Sequence, residues 1–256
     1  MRKLILAALF CLVSTTVLAS GPDFIWAGGS IKLSNNSNPC YVADSFVSLG
    51  QFDSTNLFVE PMLTLKGEKL GFDLGVGGRV PVMGGRMLAG YNVFFDYTAN
   101  EGHERFGTGI ELYHPNFSTH LNLYLPITNE HGGQEALPGI DLTFGVPIPN
   151  ASFISVWPGF YFFSGRDMQD KGGMSMTVQV NPIEPLIISF GGRSDTLQSG
   201  RDSSELFAKV EVIIPMKRLG RDLLEFNPGQ YPVDIRSQLD HKVVREEFIT
   251  YENKRE

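Results

Sequence analysis

From about residue 24 to residue 214 the chain alternates between apolar side chains and small, polar or charged ones. In KLGFDLGVGGRVPV (69–82), Leu70, Phe72, Leu74, Val76 and Val80 share one parity. Gly71, Asp73, Gly75, Gly77 and Arg79 share the other. NLFVEPMLTL sets Leu57, Val59, Leu63 and Leu65 against Glu60 and Thr64. FSTHLNLYL sets Phe117, Thr119, Leu121, Leu123 and Leu125 against Ser118, His120, Asn122 and Tyr124. A period of two is what a strand with two different faces shows. It predicts about twelve strands, over 24–33, 41–50, 56–66, 69–82, 87–98, 104–114, 117–127, 139–147, 153–163, 173–181, 186–194 and 204–214. Most approach the ~9–11 residues a tilted strand needs to cross a bilayer.

The connections alternate as well. SNNSN, KGEK, TANEGHE, TNEHGGQEA, GRDMQDKGG and SDTLQSGRDSS are polar or charged, whereas VMGG, HPN, PIPNAS and NPIEP are compact, with QFDST a polar exception. Long loops on one side and short turns on the other are the pattern of an outer-membrane barrel. A soluble sandwich shares the alternation but not this asymmetry. The expected fold is therefore all-β: a transmembrane antiparallel β-barrel of about twelve strands.

In lipid every backbone group must be paired within the protein, so strands survive there only in a closed sheet. The charged parity must then face inward. Glu60, Asp73, Arg79, Asn92, Asp96, Arg105, Glu111, Asp141, Arg193, Lys209 and Glu211 are expected to line a mixed-sign lumen. Inward Gly71, Gly75, Gly77, Gly107 and Gly109 leave room in it. Trp26, Tyr91, Tyr97, Phe117 and Trp157, near strand ends, are expected in interfacial girdles.

The first residues read MRKLILAALFCLVSTTVLAS, a basic start, an apolar core and a small-residue site. This predicts a secretory signal peptide over 1–19. The apolar run is short for a membrane anchor, and bulky Phe10 argues against lipidation at Cys11. Once the signal is cleaved, Cys40 is alone, so no internal disulfide is expected. The barrel is expected over 20–216. Residues 217–256, charged and without alternation, are expected to be a linker or tail with no passenger domain. With 21 Lys+Arg against 28 Asp+Glu, net charge −7, the chain lacks the basic surface that nucleic acid requires.

Several passages resemble the β-barrel domain of the inverse autotransporters, the intimin and invasin type. GYNVFFDY (90–97) followed by GHERFGTGIELY (102–113) carries the resemblance most clearly. LPGIDLTFGVPIPN (137–150) resembles the stretch where that family has a G-x-D-L/I strand. FYFFSGRD, NPIEPLIISFGGR and the strand before Pro215 follow in order. LDHKVVREEFITYE is similar to the post-barrel linker, with Arg245 at its arginine and Glu246 and Glu247 in place of an Asn pair. The similarity covers about residues 24–251. Two features depart from it: the chain stops at Glu256, and its last strand ends VEVII rather than at an aromatic residue.

The resemblance implies an outer-membrane anchor and translocator related to surface adhesins, reached after signal-peptide cleavage by type V secretion. A stand-alone porin or channel is the alternative. The expected partners are outer-membrane lipid, the barrel assembly machinery with periplasmic chaperones, and a host-cell or surface receptor, with the protein a monomer. No cofactor, metal or catalytic set is expected. His103, His114, His120, His131 and His241 have no metal spacing and read as ordinary solvated residues. A barrel lipase needs a Ser/His pair on the lipid side, and His120 falls on the inward parity. Asp96 with Arg105, and Glu111 with Arg79, read as structural ion pairs. In the linker, Arg236, Asp240, Lys242, Arg245, Glu246, Glu247 and Glu252 could pair with the lumen charges and plug the pore; a disordered periplasmic tail is the other reading.

Overall fold

The computed structural model describes residues 21–99, 102–128, 133–165, 170–197, 204–217, 221–226 and 228–253. The signal peptide expected over 1–19, Cys11 and His131 lie outside the described residues. The barrel strands in chain order are β1 (Asp23–Ser34), β2 (Cys40–Phe52), β3 (Thr55–Lys66), β4 (Lys69–Val82), β5 (Met87–Thr98), β6 (His103–His114) and β7 (Phe117–Pro126). A short β8 (Gln134–Ala136) precedes β9 (Gly139–Ile148), β10 (Ala151–Phe163), β11 (Lys171–Ile183), β12 (Leu186–Asp195), β13 (Ser204–Pro215) and a short β14 (Tyr251–Asn253). Among the described residues twelve of these close a barrel, in the order β1-β13-β12-β11-β10-β9-β7-β6-β5-β4-β3-β2. Each pairs antiparallel with its neighbours, and β1 meets β13 from Trp26↔Pro215 to Ser34↔Phe207, so no edge remains. The exceptions, β8 and β14, pair with each other. No described helix is long and apolar enough to cross a membrane; the strands do so.

One end carries the longer loops and one two-residue turn at 67–68, while four two-residue connections share the other, at 53–54, 115–116, 149–150 and 184–185. Asp53 and Asn150 take positive φ there (55° and 64°), a conformation that Asn and Asp tolerate better than most residues. Both chain ends of the barrel lie at this side, which is the periplasmic one in outer-membrane barrels.

The outer surface is the apolar parity. Leu63, Leu65, Leu70, Phe72, Tyr91, Val93, Phe106, Ile110, Leu123, Leu125, Phe160, Met176, Phe190 and Val210 are all exposed. In water such a surface would be an association hazard, but in lipid it is the matching face. Val93, at mid-strand, pairs with Val76 and Thr108. Val93→Arg is expected to cost about 2–4 kcal/mol at the bilayer midplane, read as loss of the compact, heat-modifiable band in membrane extracts. The same band at wild-type yield would contradict a lipid-facing Val93.

The structure corrects two of the expected girdle residues. Trp26 is buried and packs with Phe46, Phe58, Phe94 and Val243. Trp157 lies on the parity opposite exposed Phe160 and Phe162, with its ring 5.9 Å from that of His120. Both indoles face inward because the interior holds apolar partners for them, while Tyr91 and Phe117 stay on the outer surface.

Candidate functional site

The inward parity gathers the charged strand residues. Glu60, Asp73, Arg79, Asn92, Asp96, Arg105, Glu111 and Glu211 are buried. Strand register explains the pairs: Asp96 lies opposite Arg105 across β5–β6, and Arg105 Nε donates to Asp96 Oδ2 at 2.7 Å. Arg79 Nε meets Glu111 Oε2 at 2.8 Å, spanning from β4 to β6 over Gly90 of β5, where a Cβ would lie 2.5 Å from Glu111 Oε2. Asp141 accepts from Asn122 Nδ2 and from the Tyr124 hydroxyl. Lys209 bridges Glu211 and Glu247, at 3.0 Å each, and Arg193 bonds both carboxylate oxygens of Glu246.

The last two of those partners, Glu247 and Glu246, belong to the segment after β13, and this segment meets inward side chains in order along the barrel. At the short-turn end, Phe226 bridges Ile183 and the Val233 N–H donates to Pro115 O. A 3-10 turn, Ile235–Asp240, is capped by Asp234. Arg79 Nη1 then donates to the carbonyls of Gln238, Leu239 and His241, and Trp26 Nε1 to that of Asp240. Further along, the Val243 N–H donates to Glu60 Oε2 and Asn122 donates to Val244 O. Glu246 N–H reaches the Tyr124 hydroxyl, and Arg105 donates to the carbonyls of Glu246 and Phe248. At the long-loop end, Leu137 N–H donates to Thr250 O, and β14 pairs with β8 through Tyr251↔Ala136.

The local chemistry accounts for this path. An extended segment without sheet partners leaves its N–H and C=O groups open, and buried groups of that kind must be satisfied. Here inward side chains take the place of a neighbouring strand. Arg79 and Arg105 are suited to it, since one guanidinium serves a carboxylate and several carbonyls at once.

Arg245 holds the centre. Its Nη1 and Nη2 donate to the two oxygens of Asp96 at 2.8 and 2.6 Å, and its plane lies 4.1 Å from the Phe94 ring centre. Gly107 makes the seat, since a Cβ there would come 3.1 Å from Arg245 Nη2. Lys242 contacts Asp44, Glu211 and Glu247. Phe248 packs on Cys40, Val42 and Met62.

Residues 23–216 match the family of the inverse autotransporter β-domain. The chain belongs to that family. No curated protein sequence matches it. Among solved structures, a membrane protein studied for the mechanism of in-meso crystallization is similar at a TM-score of 0.73 and 18% identity, covering 89% of this chain and 99% of that one. An outer-membrane channel from Pseudomonas putida F1 superposes at 0.51 with 9% identity, covering 75% and 96%. The KdgM porin does so at 0.50 with 6% identity, covering 73% and 98%. These likenesses show the outer-membrane barrel fold alone.

Within this inverse autotransporter barrel, two linker residues expected to pair with lumen charges stay outside. Arg236 and Asp240 are exposed at the short-turn mouth. They sit in the capped 3-10 turn at that mouth, where the Asp240 carbonyl accepts from Trp26 Nε1. Two of the histidines read as solvated are buried: His103 stacks with Tyr251 and His120 packs edge-on to Tyr113. The alternation placed Tyr124 inward, but inward Phe46, Phe58, Phe94, Tyr113 and Phe163, all buried, were not singled out. Their one signal was aromatic side chains on the parity that carries the charges.

Proposed function

We propose that this outer-membrane barrel anchors and translocates, and that the segment after β13 is its linker, running through the lumen as a plug. The observation that carries the reading is the seat of Arg245. A linker arginine makes two charge-assisted bonds to a strand carboxylate that also bonds a strand arginine. A tail that merely hung in the periplasm would gain nothing from such a buried, matched group. A linker whose far end meets the long-loop side puts any following chain outside the cell, where an adhesin acts. The reading gives the chain no catalytic role. In support of that, His120 packs between Tyr113 and Trp157 rather than toward lipid.

Planar-bilayer conductance of the full chain against a chain ending at Met216 tests the plug. The truncated barrel is expected to conduct several-fold more, with heat-modifiable migration showing that it is still folded. Equal conductance would overturn the plug and favour an open channel.

A further inference from the structure

The two halves of the lumen differ. Toward β2–β7 the ion pairs are dry: side-chain exposures are 0% and 2% for Arg79–Glu111 and 0% and 1% for Arg105–Asp96. Toward β12, β13 and β1 they are wet: 24% and 35% for Arg193–Glu246, and 33% and 20% for Lys32–Glu205. The residue types match. The first half presents Phe58, Met62, Phe94, Tyr113 and Tyr124, which close on the linker. The second presents Thr143, Ser175 and Thr177, too short to reach it. They border a cavity of about 210 Å³ between the linker residues Val244, Arg245 and Glu246 and the strand wall. Nearer the short-turn end, Ser155, Gln179 and Gly191 on the same side are also part-exposed.

We infer that the linker blocks only one half of the lumen and leaves a narrow, water-filled path along β9–β13 that passes small ions while the plug is in place. This rests on the proposed plug but goes beyond it. Water reaches this side because its hydroxyl and amide groups hydrate well, and the aromatic rings of Tyr161 and Phe207 line the space rather than fill it. The charged side chains on the cavity balance, with Lys32, Arg193 and Arg245 against Asp141, Glu205 and Glu246. Lys32 is paired with Glu205 and Arg193 with Glu246. The path is therefore polar without a net fixed charge, and its width rather than its sign limits what passes.

The test is a planar-bilayer recording of the full chain across a KCl gradient. The expected result is a small, steady current, about tenfold below that of the chain ending at Met216. Ser175→Trp and Thr177→Trp, each filling the cavity from a different height of β11, should lower the current without changing heat-modifiable migration. Liposomes holding the full chain should not swell in a monosaccharide. A silent full chain beside a conducting truncated one would overturn the path and leave the plug standing. A full chain conducting as much as the truncated one would overturn the plug itself. A current unaltered by either tryptophan in folded protein would place the leak elsewhere and end the proposal.

Discussion

Arg79→Met is expected to destabilise the folded barrel by about 3–5 kcal/mol, the usual cost of removing one partner of a buried ion pair. The charge left behind is that of the buried Glu111. The same change strips a donor from the carbonyls of Gln238, Leu239 and His241. The measurement is the temperature at which the compact gel form is lost, which should fall sharply. Glu111→Gln should do less, because an amide oxygen still accepts from the guanidinium. Arg79→Met combined with Glu111→Met separates the two roles. Without a buried charge the barrel should recover much of its stability, since apolar replacements of such pairs are often neutral. The three carbonyls would still lack their donor, so the linker should stay loosened and the conductance raised. Wild-type melting in Arg79→Met would show that the pair contributes nothing.

Arg245→Ala should act on the plug rather than on the barrel. Asp96 keeps Arg105 at 2.7 Å, so the strand pair survives. What is lost is the linker's two-bond contact with Asp96 and its face against Phe94. The expected result is a conductance close to that of the chain ending at Met216, with only a modest shift in the melting of the compact form. Because Asp96 keeps a cation, the scale is that of hydrogen bonds to a charged group, about 1.5–3 kcal/mol of linker binding. Arg245→Lys should fall between, since an ammonium keeps the charge but cannot match both oxygens of the carboxylate. A fully blocked pore in Arg245→Ala would remove Arg245 from the centre of the plug.

The strands were legible because a membrane strand has two solvents and a period of two. Placing Asp73, Arg79, Asp96, Arg105 and Glu111 in lipid is so costly that their parity fixes which face points in. The turns were legible for a simpler reason, since Pro, Gly and Asn cluster between the runs. Trp26 and Trp157 were assigned to the lipid interface from their place near strand ends alone. The interior in fact gives both indoles partners, Trp26 among Phe46, Phe58, Phe94 and Val243 and Trp157 beside His120. Nothing in a strand's own alternation reports which partners it will meet. The β8–β14 pair escaped for a related cause: three-residue strands in loop and tail have no period to read, and they exist only because they meet.

By itself, then, the sequence determined the twelve strands, the sign of each face and the pairing partners that adjacent strands bring together, because these depend on local spacing and on solvent. The tertiary structure decided what fills the barrel. Which carbonyls Arg79 and Arg105 serve and why Gly107 leaves room for Arg245 depend on contacts between residues more than a hundred positions apart. Such contacts are set by closure of the sheet around one particular segment, and no pattern along the chain encodes them.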